Sequence, residues 1–231
     1  MSAIMNKHEP KNMRAIGRNA LFHGLPTATL LRLSASATAL NLPRGKTLNR
    51  NGGRFPGVYV VVSGCVALNV GTAESTKVIE LVGAGGYLGL AATILGVPEA
   101  VTAEALADSA LLLTPRAALL ECAADSPQFA LHLAAALSRQ VRGLIADIEA
   151  FSLRSGHERV ANYLLQVAAA KGTTPRPVSL PAKKSVIASR LGLTPEYFSR
   201  VLHDLISAGA IGVNGRNITI LDQAQLRTVD G

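Results

Sequence analysis

Four side chains near the C-terminal end, Glu196, Ser199, Arg200 and His203, stand at i, i+3, i+4 and i+7. On a helix that spacing puts them on one face. Their chemistry is that of a base reader. An Arg fork bonds both acceptors of a guanine in the major groove, a carboxylate accepts from a cytosine amino group, and a hydroxyl is tolerant of its partner. Phosphates repel a carboxylate on a DNA-facing surface, so Glu196 beside Arg200 points to base edges. The same spacing also fits a plain surface ion pair between Glu196 and Arg200, which is weak. The two readings weigh equally until the surrounding elements are considered.

The stripe requires a helix. The stretch "LTPEYFSRVLHDLISAGAI", Leu193 to Ile211, supplies one, with Phe198, Leu202 and Leu205 as its dry face. Thr194 is placed to cap it, Pro195 suits its first turn, and Glu196 favours the positive end of its dipole. A helix over 182–191 and a tight turn with Gly192 precede it. "AIGVNGRNITILD" follows, two short strands around an Asn-Gly turn. Helix, turn, helix and hairpin form the layout of a winged helix-turn-helix. Lys183, Lys184, Arg190 and Arg216 flank the unit and are expected on phosphates, with Thr194 and His203 as further DNA contacts.

Charge agrees with a polyanionic partner. The net charge of the 231 residues is +8, and residues 151–231 hold 10 basic and 5 acidic side chains. That basic concentration favours double-stranded DNA over a membrane. Hydrophobic residues make up 48% and aromatics 4%, so the cores must be built from aliphatic side chains. Residues 1–20 have no apolar run of a signal peptide and read as a mobile tail. The uncharged stretch between Glu80 and Glu99 is too rich in glycine for a membrane span. A cytoplasmic setting is expected from two cysteines, Cys65 and Cys122, which are too few for a disulfide framework.

Upstream, 21–40 has broken helical periodicity and suggests one or two short helices. From Asn41 the runs "VYVVVSGCVALNV", "KVIELVG" and "VTAEALADSALLLT" are β-branched or alternating, with glycine-rich turns between them. They predict a small antiparallel β-roll over 21–125. A helical pattern then runs from Pro127 to about Phe151. Ala130, Ala134, Leu137, Val141, Leu144, Ile148 and Phe151 are spaced 4-3-4-3-4-3, a heptad seam. It predicts a two-helix homodimer contact over 126–152, with the alternative that the helix simply packs on the roll. Residues 153–231 complete a DNA-binding domain, opened by another amphipathic helix over 155–171. The fold class is therefore α+β.

The segment from Lys183 to Leu221, with its E-x-x-S-R pattern at Glu196, Ser199 and Arg200, resembles the Crp/Fnr family of bacterial transcription regulators, and its Fnr-like branch in particular. A looser resemblance covers about residues 20–222, with a β-roll similar to a cyclic-nucleotide-binding domain. It implies a homodimer on an inverted repeat with TTGAT-like half-sites, two-fold symmetry matching a pseudo-palindrome. Glu196 and Arg200 would read its C·G and G·C edges, with Ser199 beside the thymine. RNA polymerase is a further partner implied for a regulator of this kind.

The sensor half departs from the family's cyclic-nucleotide pattern. That pattern has a Gly-Glu in the glycine-rich turn and a later Arg. Here "GAGGYLGLAATILGVPEAVTAEAL" puts Tyr87 where the Glu is expected and Glu99 about where the Arg is expected. No Lys or Arg occurs between Lys77 and Arg116. A buried phosphate without a cation is disfavoured, so no cyclic AMP response is expected. Tyr87, Leu88, Glu99 and His132 are the candidate effector-pocket residues. Two cysteines cannot hold the four-ligand Fe–S cluster of an oxygen sensor. Haem needs fewer ligands, and a haem- or gas-dependent input through a donor such as His132 stays open, with His8, His23, His157, Cys65 and the methionines as other donors. Cys65 reads as a small core residue and Cys122 as a possible reactive thiol. "GAGGYLG" is read as roll turns and not as a dinucleotide fingerprint, whose strand–turn–helix setting is not expected here. Paired carboxylates, a nucleophile elbow, a metal cluster and a phosphate loop are all missing from the sequence, so no catalysis is expected.

Overall fold

A computed structural model describes residues 16–17, 19, 21–72, 76–169 and 176–227. Most of the expected N-terminal tail, His8 and the methionines lie outside them. The chain divides into two units, one reaching to Arg142 and the other starting at Gly143.

The expected mobile tail does not reach residue 20: Ile16 and Asn19 are buried in the first unit, and the Asn19 side-chain amide donates to the Gly85 and Gly86 carbonyls. Helix α1 (Thr27–Ser36) follows, and strand character starts at Thr38, slightly before the expected change at Asn41. Eight strands follow: β1 (Thr38–Leu42), β2 (Thr47–Asn49), β3 (Gly57–Ser63), β4 (Cys65–Gly71), β5 (Thr76–Gly83), β6 (Tyr87–Leu88), β7 (Thr102–Ala105) and β8 (Ser109–Pro115). They form two antiparallel sheets with orders β1-β8-β3-β6 and β2-β7-β4-β5. A short helix, α2 (Leu90–Leu95), interrupts the strands where only turns were expected.

The near-continuous apolar runs have a physical reason. Successive side chains on a strand face opposite sides, so a strand covered on both faces is apolar throughout. On β3, Tyr59 and Val61 enter a core between the sheets with Phe55, Val66, Leu88 and Leu111. Val58 and Val60 instead join Leu33, Leu112, Leu119, Phe129, Leu133 and Ala136 in a second core. Helices α1, α3 (Arg116–Asp125) and the start of α4 (Pro127–Leu153) supply the helical side of that core.

Helix α4 carries the chain into the second unit. There α5 (Gly156–Ala169), α6 (Lys184–Arg190) and α7 (Pro195–Ser207) accompany a three-stranded antiparallel sheet and a terminal helix, α8 (Gln223–Arg227). The sheet order is β10 (Ile211–Asn214), β11 (Asn217–Ile220), β9 (Arg176–Ser179). Val160, Leu164, Ile187, Phe198, Val201, Leu202, Leu205, Ile211 and Ile218 are buried here. The expected dry face of α7 is thus its packed face, with Val201 added.

Candidate nucleic-acid interface

Each element of the helix-turn-helix has a local cause. Helix α5 begins with a capping box: Ser155 Oγ accepts from the Glu158 amide at 3.2 Å, and Glu158 Oε2 accepts from the Ser155 amide at 2.6 Å. Helix α7 begins where Thr194 Oγ1 accepts from the Tyr197 amide at 3.2 Å, with Pro195 in its first turn. Asn214 pairs with Asn217, so the hairpin turns on Gly215 and Arg216, one position later than an Asn-Gly turn. Gly215 has φ +60, which suits the first central position of a type II′ turn.

Glu196, Ser199, Arg200 and His203 are all exposed on α7. Among the described residues, neither Glu196 nor Arg200 takes part in an ion pair. The pair that would have explained their spacing as surface decoration is not formed. Arg200 instead lies over the ring of Tyr197, with Cζ 4.6 Å from its centroid. Thr194, Lys183 and Arg216 are exposed, and Lys184 is half-buried. Arg190 is placed differently from the others. Its Nη2 donates to the Asp147 carboxylate at 2.7 Å, so part of its fork is committed within the chain.

The heptad seam divides. Val141, Leu144 and Ile148 are 54%, 58% and 64% exposed, and Ile145 lies among them at 60%. Leu137 is partly buried against the core of the first unit, and the Phe151 ring is covered by Arg159 at 5.7 Å.

In the first unit, Tyr87, Leu88 and Glu99 line one cavity of about 110 Å³, together with Phe55, Glu80 and Gln140. Its lining includes two carboxylates and no Lys or Arg. Burial raises the Tyr87 phenol above its ordinary range, with Arg139 opposing and Glu80 adding. The phenol stays a donor and reaches the Ala136 carbonyl on α4 at 3.4 Å. His132 is not among the lining residues; its Nδ1 contacts the Gln128 carbonyl at 2.9 Å. No group of three or more potential metal ligands occurs among the described residues.

Comparison with known proteins fits both units. Residues 39–126 match the cyclic nucleotide-binding domain model and 158–229 the Crp-like helix-turn-helix model. The nitrogen fixation regulation protein FixK of Azorhizobium caulinodans is 30% identical over 178 residues, covering 75% of this chain and 71% of FixK. The chain belongs to the Crp/Fnr family of transcription regulators. The transcriptional activator FnrA of Stutzerimonas stutzeri is 29% identical over 82% of this chain and 79% of its own. The structure of FixK2 from Bradyrhizobium japonicum superposes with a TM-score of 0.77 at 25% identity, over 84% of this chain and 98% of that one.

As a Crp/Fnr regulator the chain is a DNA-binding protein and not an enzyme, and no helix among its described residues is long and apolar enough to cross a membrane. Sequence reasoning missed Gln140 and Glu80 as cavity residues. Gln140 follows the seam residue Leu137 by three, but nothing local marks it as facing a cavity.

Proposed function

We propose that this Crp/Fnr regulator works as a homodimer on an inverted repeat of TTGAT-like half-sites. A β-roll sensor (21–125), a dimerisation helix (126–152) and a winged helix-turn-helix (153–231) divide the labour. Glu196, Ser199 and Arg200 read base edges; Thr194, His203, Lys183, Lys184 and Arg216 contact the backbone. RNA polymerase is the downstream partner. The observation that carries this reading is the exposed, unpaired Glu196–Ser199–Arg200 stripe on a capped helix. The bare Val141–Leu144–Ile148 stripe supports the dimer, in which it would form an isologous contact.

The same reading holds that cyclic AMP is not the effector. Glu80 and Glu99 line the cavity, and its lining includes no Lys or Arg to hold a phosphate. The haem-dependent alternative gains no support from the cavity, since His132 lies outside its lining.

A gel shift with the TTGAT inverted repeat, run with and without cyclic AMP, tests both statements. Arg200→Ala should relax base preference, whereas Lys184→Ala should weaken all sequences alike and reduce the salt slope by about one. Equal binding to scrambled DNA overturns the operator. A cyclic AMP-dependent shift overturns the sensor reading.

A further inference from the structure

We infer that Tyr197 is a specificity-determining positioning residue: its ring holds the Arg200 guanidinium in place before DNA arrives. This rests on Arg200 reading bases. Tyr197 and Arg200 are i and i+3 on α7, and the Arg200 Cζ sits 4.6 Å from the ring centroid. A cation over an aromatic face is attracted by the ring quadrupole, and a planar guanidinium adds stacking. Arg200 is exposed and, among the described residues, makes no ion pair, so its contact with the ring is what restrains its long side chain.

The ring is itself held. A Cβ at Gly156 would lie 2.2 Å from Tyr197 Cε1, so the ring occupies the space that any other residue at 156 would fill. Gly156 lies within the Ser155–Glu158 capping box, which fixes its backbone. The His157 and Tyr197 rings stand T-shaped, with centroids 6.1 Å apart and planes at 78°. The His157 Nε2 also meets Asp204 Oδ2 at 3.0 Å. Glu196 stands four residues before Arg200 and Asp204 four after, so both are spaced to draw the guanidinium along α7. His157 occupies Asp204. One segment, Ser155–Glu158, therefore both seats the ring and engages one of the two competing carboxylates.

Fixing Arg200 beforehand removes ordering cost from the step that forms the bidentate contact, and so sharpens discrimination rather than general affinity. The experiment uses the full chain and two duplexes, the TTGAT inverted repeat and the same repeat with its G·C pair changed to A·T. Tyr197→Ala should reduce the affinity ratio between them about three- to five-fold, with the salt slope unchanged. Tyr197→Phe should retain the ratio. Tyr197→Leu, which fills the space without a π face, should behave like Ala and covers the case in which the Ala variant does not fold. In an Arg200→Ala background, Tyr197→Ala should change nothing further. If Arg200→Ala lowers the ratio but Tyr197→Ala and Tyr197→Leu do not, the positioning role is overturned and base reading stands. If Arg200→Ala itself leaves the ratio intact, the base-reading proposal has failed instead.

Discussion

Arg190 Nη2 donates to the Asp147 carboxylate at 2.7 Å, joining the first helix of the helix-turn-helix to the C-terminal stretch of α4. Both side chains are partly covered, 21% and 34% exposed. A free Arg190 would contribute about one unit to the salt slope of DNA binding. A paired one contributes to stability, about 1 kcal/mol at this exposure. Arg190→Ala and Asp147→Ala should each lower the melting midpoint by a few degrees, to similar extents. Neither should change the salt slope. A slope reduced by one in Arg190→Ala alone would restore Arg190 to the phosphate contacts.

The bare stripe on α4 predicts a sharp split between folding and assembly. Leu144 and Ile148 are 58% and 64% exposed in the single chain, so a charge there costs the monomer little. In a two-helix seam the same charge is buried opposite its own copy, which is strongly unfavourable. Leu144→Glu should keep its circular dichroism and sediment as the 24.0 kDa monomer. Operator affinity should fall at least about 100-fold, because the second half-site is no longer bound by a linked partner. A dimeric Leu144→Glu protein would falsify the seam.

Much of this architecture was legible because its signals are local. Thr194, Pro195 and Glu196 announce the start of α7, and the 4-3 spacing of apolar residues announces α4. What stayed hidden depends on distant partners. The docking face of α4, Phe129, Leu133 and Ala136, is offset by one residue from the seam at Ala130, Ala134 and Leu137. A period alone cannot separate two adjacent stripes, and Leu137 turns out to pack within its own unit. Helix α2 spans six residues between Gly89 and Gly96, too short to show a period, and glycines at both ends read as turns. The Arg190–Asp147 pair spans 43 positions, and the seat of Tyr197 needs Gly156 from another helix.

Cys65 and Cys122 are 4% and 2% exposed. Burial pushes both thiols above their ordinary value of 9.0; at Cys122 the Arg32 charge opposes this in part. The reading of Cys122 as a reactive thiol is therefore not favoured, since reactivity follows exposed thiolate. A disulfide-exchange reagent at pH 8 should titrate neither thiol in the native protein and both after guanidinium unfolding. The linkage sign is fixed by the same shift. The unfolded thiols ionise first as pH rises, so stability is fully present below their ordinary value and declines as pH climbs through the raised folded values. Rapid native labelling of Cys122 would contradict both statements.

Gly89 lies between the cavity residue Leu88 and the first residue of α2, with φ +82. A Cβ there would come 2.3 Å from Phe55 Cδ2 and 3.0 Å from Cε2. The Phe55 ring cannot simply swing away, because it is 8% exposed and packs edge-on to Tyr59 at 5.2 Å. Gly89→Ala therefore carries two penalties, one from the left-handed backbone and one from overpacking, together about 2–4 kcal/mol. Gly45 separates them. Its φ is +77, yet an added Cβ meets nothing within 4 Å, so Gly45→Ala should cost only the backbone part, about 1 kcal/mol. Denaturant unfolding of the two variants measures the difference directly. A clear excess for Gly89→Ala assigns Phe55 as a rigid wall of the cavity. Equal losses would mean that the ring yields and that the cavity wall at Phe55 can reshape.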